Sequence, residues 1–208
     1  MEVLIKTSPD LRGTSRACWP DQMSFVRLLR MLWMVCFPLF FIHLFGVNSL
    51  AEVSKEYQVK AVFLFRLAQF VDWPTTAFEN DQSPVIIGVL GADPFGEALN
   101  IAVQGETAHN RPIVIRRFQK VKDITACHVL FISRSEADHI SEVIAALYGR
   151  SILTVSDIED FVSKNHGMVH FVTQLNKVDL RIDPEAAKSA RLVFDSRLLR
   201  MAKVVNKH

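Results

Sequence analysis

Cysteine is nearly absent from the part of this chain that reads as a folded domain. Of three cysteines, Cys18 and Cys36 fall early, and Cys127 is the only one further along. A lone thiol forms no intramolecular disulfide and offers no Cys pair for zinc or redox work. Its setting before an apolar run makes Cys127 a small buried hydrophobe at the start of a strand. A surplus of charge is missing too. Five of the 24 basic and three of the 22 acidic residues precede position 52, so the remainder is balanced. Nucleic-acid binding draws on positive charge to neutralise phosphates, and that class is excluded.

Motifs of catalysis are equally scarce. There is no phosphate-cradling loop ending in Gly-Lys-Ser/Thr and no G-x-S-x-G elbow. Gly88, Gly91 and Gly96 stand in GVLGADPFG, whose spacing is not G-x-G-x-x-G, and Pro94 and Phe95 fill the turn that a phosphate would approach. His166 and His170 are four apart, but on a strand that spacing separates them by roughly 13 Å. His170 reads instead as a polar residue on the more exposed face of a hairpin. Glu159-Asp160 and the Asp179/Asp183 pair read as solvated faces or caps. The chain is therefore expected to be no enzyme and to hold no cofactor or metal.

What is present begins with a leader. Arg27 and Arg30 form a charged region after Met23, and residues 31–47 carry no charge. Ser49 and Ala51 then occupy the positions that a signal peptidase prefers, so residues 1–51 read as an N-terminal extension and secretion signal. Met1 and Met23 are both open as starts. The apolar run is 17 residues long, near the lower limit of a membrane span, which leaves an uncleaved anchor as the alternative.

Residues 52–208 read as one domain. The spacing predicts a helix over 55–71 with Val59, Val62, Phe63, Leu67, Phe70 and Val71 on its buried face. Trp73-Pro74 ends it. Continuous apolar runs predict buried strands over 85–90, 112–118, 128–132 and 152–155. Helices are expected between them over 94–103 and 136–148, with a short one over 157–162. Residues 168–173 and 177–182 predict a hairpin whose second strand alternates as an edge should. Helices over 184–192 and 196–205 close the chain. The expected fold is α/β: a three-layer, Rossmann-like domain with a mostly parallel sheet of about six strands and a C-terminal antiparallel hairpin.

In such sheets the loops at the carboxyl ends of the strands form the ligand crevice. Those loops supply the candidate binding residues Gly91, Asp93 and Phe95 after the first strand, Ser133 and Ser135 after the third, and Ser156 and Asp157 after the fourth. Asp93 and Asp157 also read as helix caps.

Five stretches carry a resemblance to a known family. They are Glu56-Tyr57-Gln58-Val59-Lys60-Ala61-Val62-Phe63-Leu64 through Phe70-Val71-Asp72-Trp73-Pro74; Ile87-Gly88-Val89-Leu90-Gly91-Ala92-Asp93-Pro94-Phe95-Gly96; Cys127-His128-Val129-Leu130-Phe131-Ile132; Ile152-Leu153-Thr154-Val155-Ser156-Asp157; and Ser196-Arg197-Leu198-Leu199-Arg200. In this order, behind an export signal, they resemble the YfiR-like family of periplasmic regulators. The sequence departs from the pattern at His166-Gly167, where Gly-Gly is usual, and at Ile182-Asp183, where Ile-Asn is typical. The disulfides of some members cannot form with Cys127 alone. The resemblance implies a periplasmic protein that binds and represses the sensor region of an inner-membrane diguanylate cyclase, and so controls cyclic di-GMP signalling and biofilm formation. A periplasmic receptor for an unknown small ligand, serving a different sensor kinase or transporter, is the alternative. A homodimer is also open.

The leader yields the first test. Intact-mass measurement of periplasmic material should find a mature N-terminus at Glu52. A full-length product held in the inner membrane would favour the anchor instead.

Overall fold

The structure, a computed structural model, describes residues 47–205, with side-chain environments from Lys55 onward. The charged and apolar segments of the expected leader lie outside the described residues. Among the described residues no helix is long and apolar enough to cross a membrane.

The first helix, α1, spans Val47–Phe70. It buries Tyr57, Ala61, Leu64, Phe65, Leu67 and Ala68, together with the whole of Lys60. The expected face is thus partly wrong: Val59 and Val62 are 46% and 48% exposed. Apolar residues surround most of this helix, so periodicity alone allows more than one buried stripe. Lys60 decides between them, because its ammonium has a partner inside the domain and turns its own side of the helix inward.

The chain then forms β1 (Val71–Asp72), a single 3-10 turn at Thr75–Ala77 and β2 (Val85–Leu90), in which every residue is buried. Helix α2 (Glu97–Val103) starts three residues after Pro94, where it was expected, because Gly96 at φ 51° still turns the chain. β3 (Thr107–Ala108) and β4 (Arg111–Phe118) follow as a tight hairpin. β5 (Val129–Ile132) leads through a 3-10 segment at Arg134–His139 into α3 (Ile140–Leu147), then β6 (Leu153–Ser156). The short helix expected over 157–162 is a run of turns. β7 (Val169–Gln174) and β8 (Lys177–Ile182) form the hairpin. Its two connecting residues, Leu175 and Asn176, have φ of 48° and 61°, the left-handed pair that a two-residue turn requires. Asp183 caps α4 (Pro184–Ser189) by accepting from the amides of Glu185 and Ala186, both at 3.0 Å. β9 (Val193–Phe194), α5 (Ser196–Met201) and β10 (Lys203–Val204) end the described chain.

The sheet corrects the expected architecture. It is not a simple six-stranded, mostly parallel Rossmann-like sheet closed by a terminal hairpin. It has eight strands in the order β10-β8-β7-β6-β5-β2-β4-β3 and is mixed, while β1 and β9 form a separate antiparallel ribbon. Antiparallel pairs lie toward both ends, β3 on β4 and β7 on β8, and the hairpin is not an edge because β10 adds outside it in parallel. Strands of two residues carry no detectable period. The stretch that forms β10 also continues the apolar spacing of Leu198, Leu199 and Ala202, so it reads as the end of a helix.

Side chains alternate across the sheet and build two cores. Ile87, Val89, Val129, Phe131, Leu153, Val155, Val169 and Phe171 pack toward α1. Leu90, Leu130, Ile132 and Ile152 pack with Ile140, Val143 and Leu147 of α3 and with Phe161. Full burial of each such side chain contributes roughly 1.5–3 kcal/mol. The second core closes tightly over Gly88, where an added Cβ would lie 2.8 Å from Cys127 Sγ and 2.9 Å from Leu130 Cδ1 and Phe118 Cε2. Gly88→Ala should therefore cost about 1–3 kcal/mol by overpacking. Denaturant unfolding reads the cost directly; an unchanged midpoint would mean that Cys127 and Phe118 yield freely.

Candidate functional site

β2, β5 and β6 end side by side, with Leu90 in register with Ile132, and Ile132 with Ser156. The turns leaving them therefore meet at one end of the sheet, and all seven expected binding residues gather there. Most are occupied with holding the turns. Ser135 Oγ accepts the amide of Ala92 at 2.9 Å, tying the turn after β2 to the turn after β5. Gly91, at φ 86°, makes that approach feasible: a Cβ would fall 2.3 Å from Ser135 Oγ. Ser133 is buried, and its Oγ accepts the Ser135 amide at a long 3.5 Å. Ser156 Oγ donates to the Ile132 carbonyl at 2.7 Å and accepts the Ile158 amide at 3.0 Å. Asp93 does not cap α2. One oxygen takes the Phe95 amide at 2.8 Å and the other takes Arg117 Nε at 2.6 Å, fastening this turn to β4. Phe95 is buried edge-on to Tyr57 at 5.4 Å and to Phe131 at 4.7 Å, so it belongs to the core more than to a surface.

Asp157 is the exception. It caps no helix; its fully buried side chain is the centre of a charged cluster. Asp157 Oδ2 accepts from Lys60 Nζ at 2.6 Å and from the Tyr57 hydroxyl at 2.9 Å, and Arg134 Nε lies 3.3 Å away. Asp157 Oδ1 is buried with no hydrogen-bond partner among the described residues. Lys60, with no exposed side-chain surface, also pairs with Glu56 one turn earlier and lies 4.5 Å from the centre of the Tyr57 ring. Glu56 in turn accepts from Thr173 Oγ1 of β7 at 2.8 Å. Two cations thus face two carboxylates, and the cluster ties α1 to the turns after β5 and β6 and to β7.

Local physics follows from this arrangement. Burial raises the Tyr57 hydroxyl well above its ordinary pKa, and the adjacent Asp157 charge adds to that, so the phenol stays protonated as a donor. Burial alone would also raise Glu56. The hydrogen bonds from Lys60 and Thr173 outweigh it and hold that carboxyl below its usual value. Arg134 is different in kind: it is 63% exposed, and its Nε lies 3.3 Å from the buried Asp157 carboxylate. A surface guanidinium held by one edge keeps its other donors turned toward incoming acceptors.

Tyr57, Lys60, Arg134 and Glu56 were not singled out from sequence. A Glu and a Lys at i and i+4 on a helix normally signal a solvated pair. The only hint was a lysine set in an otherwise apolar face. His170 was read as exposed but is only 8% so, since β7 is paired on both sides, with Ser156 and Arg181 in register beside it. Burial, then the Arg181 charge, lowers its pKa. Cys127 is buried as expected, and burial pushes its thiol up to about 12. Among the described residues, no three His, Cys, Asp or Glu side chains converge on a point that would hold a metal.

The cluster generates a stability test. Lys60→Met leaves Asp157 buried without its main counter-charge and should cost about 3–5 kcal/mol in denaturant unfolding. Adding Asp157→Leu to it should restore more than half of that loss. A double variant no more stable than the single one would mean that packing around the ammonium stem, not charge, holds α1.

Compared with known families, residues 57–203 match the one described as YfiR/HmsC-like. Comparison with curated proteins finds no match. The matched stretch takes in β1 through β9 and α5, and it contains Tyr57, Lys60, Arg134 and Asp157, so the charged cluster lies within what is matched. The chain belongs to the YfiR/HmsC-like family.

Proposed function

We propose that this protein is an exported regulator that binds the periplasmic sensor region of an inner-membrane diguanylate cyclase and holds the enzyme inactive. Family membership is the observation that carries this reading. It supports a regulator-type protein, and the cyclase is the partner the sequence resemblance implies. Repression of this sort is a difference in affinity: the regulator binds the inactive form of its target better than the active one. Release then raises cyclic di-GMP and favours biofilm formation.

Arg134 is the contact we assign to the partner. It is exposed at the carboxyl end of the sheet, oriented by a carboxylate that cannot move, and arginines so fixed are frequent anchors of interfaces. On α1, the helix that delivers Lys60 to the cluster, Val59 and Val62 lie substantially exposed and give the partner an apolar surface. The matching surface on the cyclase carries a carboxylate for Arg134.

The test combines binding to the isolated periplasmic region of the cyclase with cyclic di-GMP levels in cells. Arg134→Gln should weaken binding about tenfold, equivalent to about 1.4 kcal/mol, and raise cyclic di-GMP. Val62→Glu should do the same, and neither should shift stability by more than about 1 kcal/mol, as is usual for exposed positions. If both variants bind and repress normally, the surface lies elsewhere. If the unaltered protein neither binds a cyclase region nor changes cyclic di-GMP, the regulatory reading falls.

A further inference from the structure

At the opposite end of the sheet from Asp157, the first half of the segment between β1 and β2 is gathered around one buried histidine. We infer that His128 is an acid-sensitive latch: its protonation frees residues 73–78 from the amino ends of β2 and β5, while Arg111 keeps its hold on Asn80 and Ser83. Both ring nitrogens are engaged. Nδ1 accepts the backbone amide of Ile86 at 3.0 Å, and Nε2 lies 3.2 Å from the Ala77 carbonyl. Only the neutral ring with its proton on Nε2 satisfies both contacts. The ring stacks on Phe78 at 4.4 Å and meets the edge of Trp73 at 5.9 Å, while Trp73 Nε1 donates to the His128 carbonyl at 3.3 Å. One residue therefore gathers Trp73, Ala77 and Phe78 onto the sheet.

A proton on Nδ1 sets two donors face to face, the imidazolium N–H and the Ile86 amide. The amide loses its acceptor inside a buried pairing, and the new charge must find water. Among the described residues no carboxylate contacts the ring to compensate. Arg111 of β4 lies 4.0 Å above the Phe78 ring, on which His128 stacks, and donates to the carbonyls of Asn80 and Ser83 in the same segment. Asp81 is 3.9 Å from Arg111 and fully exposed. Asp72 of β1 sits 3.7 Å from His109, which itself lies edge-on to Trp73, and Glu79 is on the segment. Cys127, next to His128 on the chain, remains a neutral thiol. The charge balance around the imidazole thus opposes a second cation. Burial first, and Arg111 to a smaller extent, lower the pKa of His128 below its ordinary 6.5, against the raising effect of the Ala77 carbonyl. The sign follows: the latch stabilises the fold above 6.5, and its contribution is lost as pH falls through the depressed value. The released segment borders a cavity of about 350 Å³ walled by Trp73, Phe78, His109 and Arg111, which its departure opens.

The experiment follows the full chain, labelled with ¹⁵N-histidine, by NMR between about pH 8 and about pH 5, the range in which imidazole titrates. At the upper end His128 should show the Nε2–H tautomer. On acidification it should protonate with a midpoint below that of a free imidazole. In step, protection from exchange at the Ile86 amide and the Trp73 indole should drop severalfold relative to the amides of Phe171 and Leu180, as local opening exposes them. His128→Asn supplies an acceptor to Ile86 that cannot be protonated, and should abolish the acid response. Titration of His128 with no change at Ile86 and Trp73 would overturn the latch, as would an Asn variant that loses protection in acid as the unaltered chain does. If that variant fails to fold, the titration of the unaltered chain decides alone.

Discussion

A single carboxylate oxygen, Asp157 Oδ2, organises one end of this domain. It draws a fully buried ammonium and a phenol from one helix and a surface guanidinium from the turn after β5 to one point, from segments far apart in sequence. Burying Lys60 and Asp157 separately would cost several kcal/mol each, so neither is tolerable without the other. The pair therefore acts less as glue than as a selector. Only one rotation of α1 places Lys60 over Asp157, and that rotation sends Val59 and Val62 outward. The exposed valines are a consequence of the ion pair, not a defect of packing.

The two ends of the sheet solve different problems with related means. At the carboxyl end, charges are opposed and mutually satisfied, apart from one carboxylate oxygen. At the amino end, His128 is neutral and its two nitrogens are spent on backbone groups. Ser133, Ser135, Ser156 and Asp93 are used in the same way, as local substitutes for backbone pairing where strands stop. Such turn residues hold a shape, and Arg134 stands exposed among them.

What could be read from the sequence follows the same division. β2 was legible to the residue, because Val85 through Leu90 are buried on both faces and form an unbroken apolar run between Pro84 and Gly91. The end of α1 was legible within a residue, from Trp73-Pro74. Its face was not, since the residue that fixes it lies 97 positions from its partner. The gathering of Gly91, Ser135 and Ser156 at one end followed from reading β2, β5 and β6 as parallel strands, whose carboxyl ends lie on one side. Asp157 was picked out as a candidate binding residue and as a cap; only the cap is overturned, because a sequence shows that a carboxylate follows a strand but not what stands opposite it. The two-residue strands β3 and β10 gave no periodic signal at all, and with them went the true size and mixed character of the sheet.

Those two short strands also determine what the sheet can be joined to. A long parallel sheet with a bare side would offer its unpaired amides and carbonyls to any extended chain nearby. Here β4, eight residues long, is met by only the two residues of β3, and β8 by the two residues of β10, one of them a lysine. Each border is covered over two residues at one end, and the rest of its outer side meets no strand among the described residues. There the exposed charges Arg116 and Arg117 of β4 and Lys177 and Asp179 of β8, rather than a covering strand, discourage indiscriminate backbone pairing.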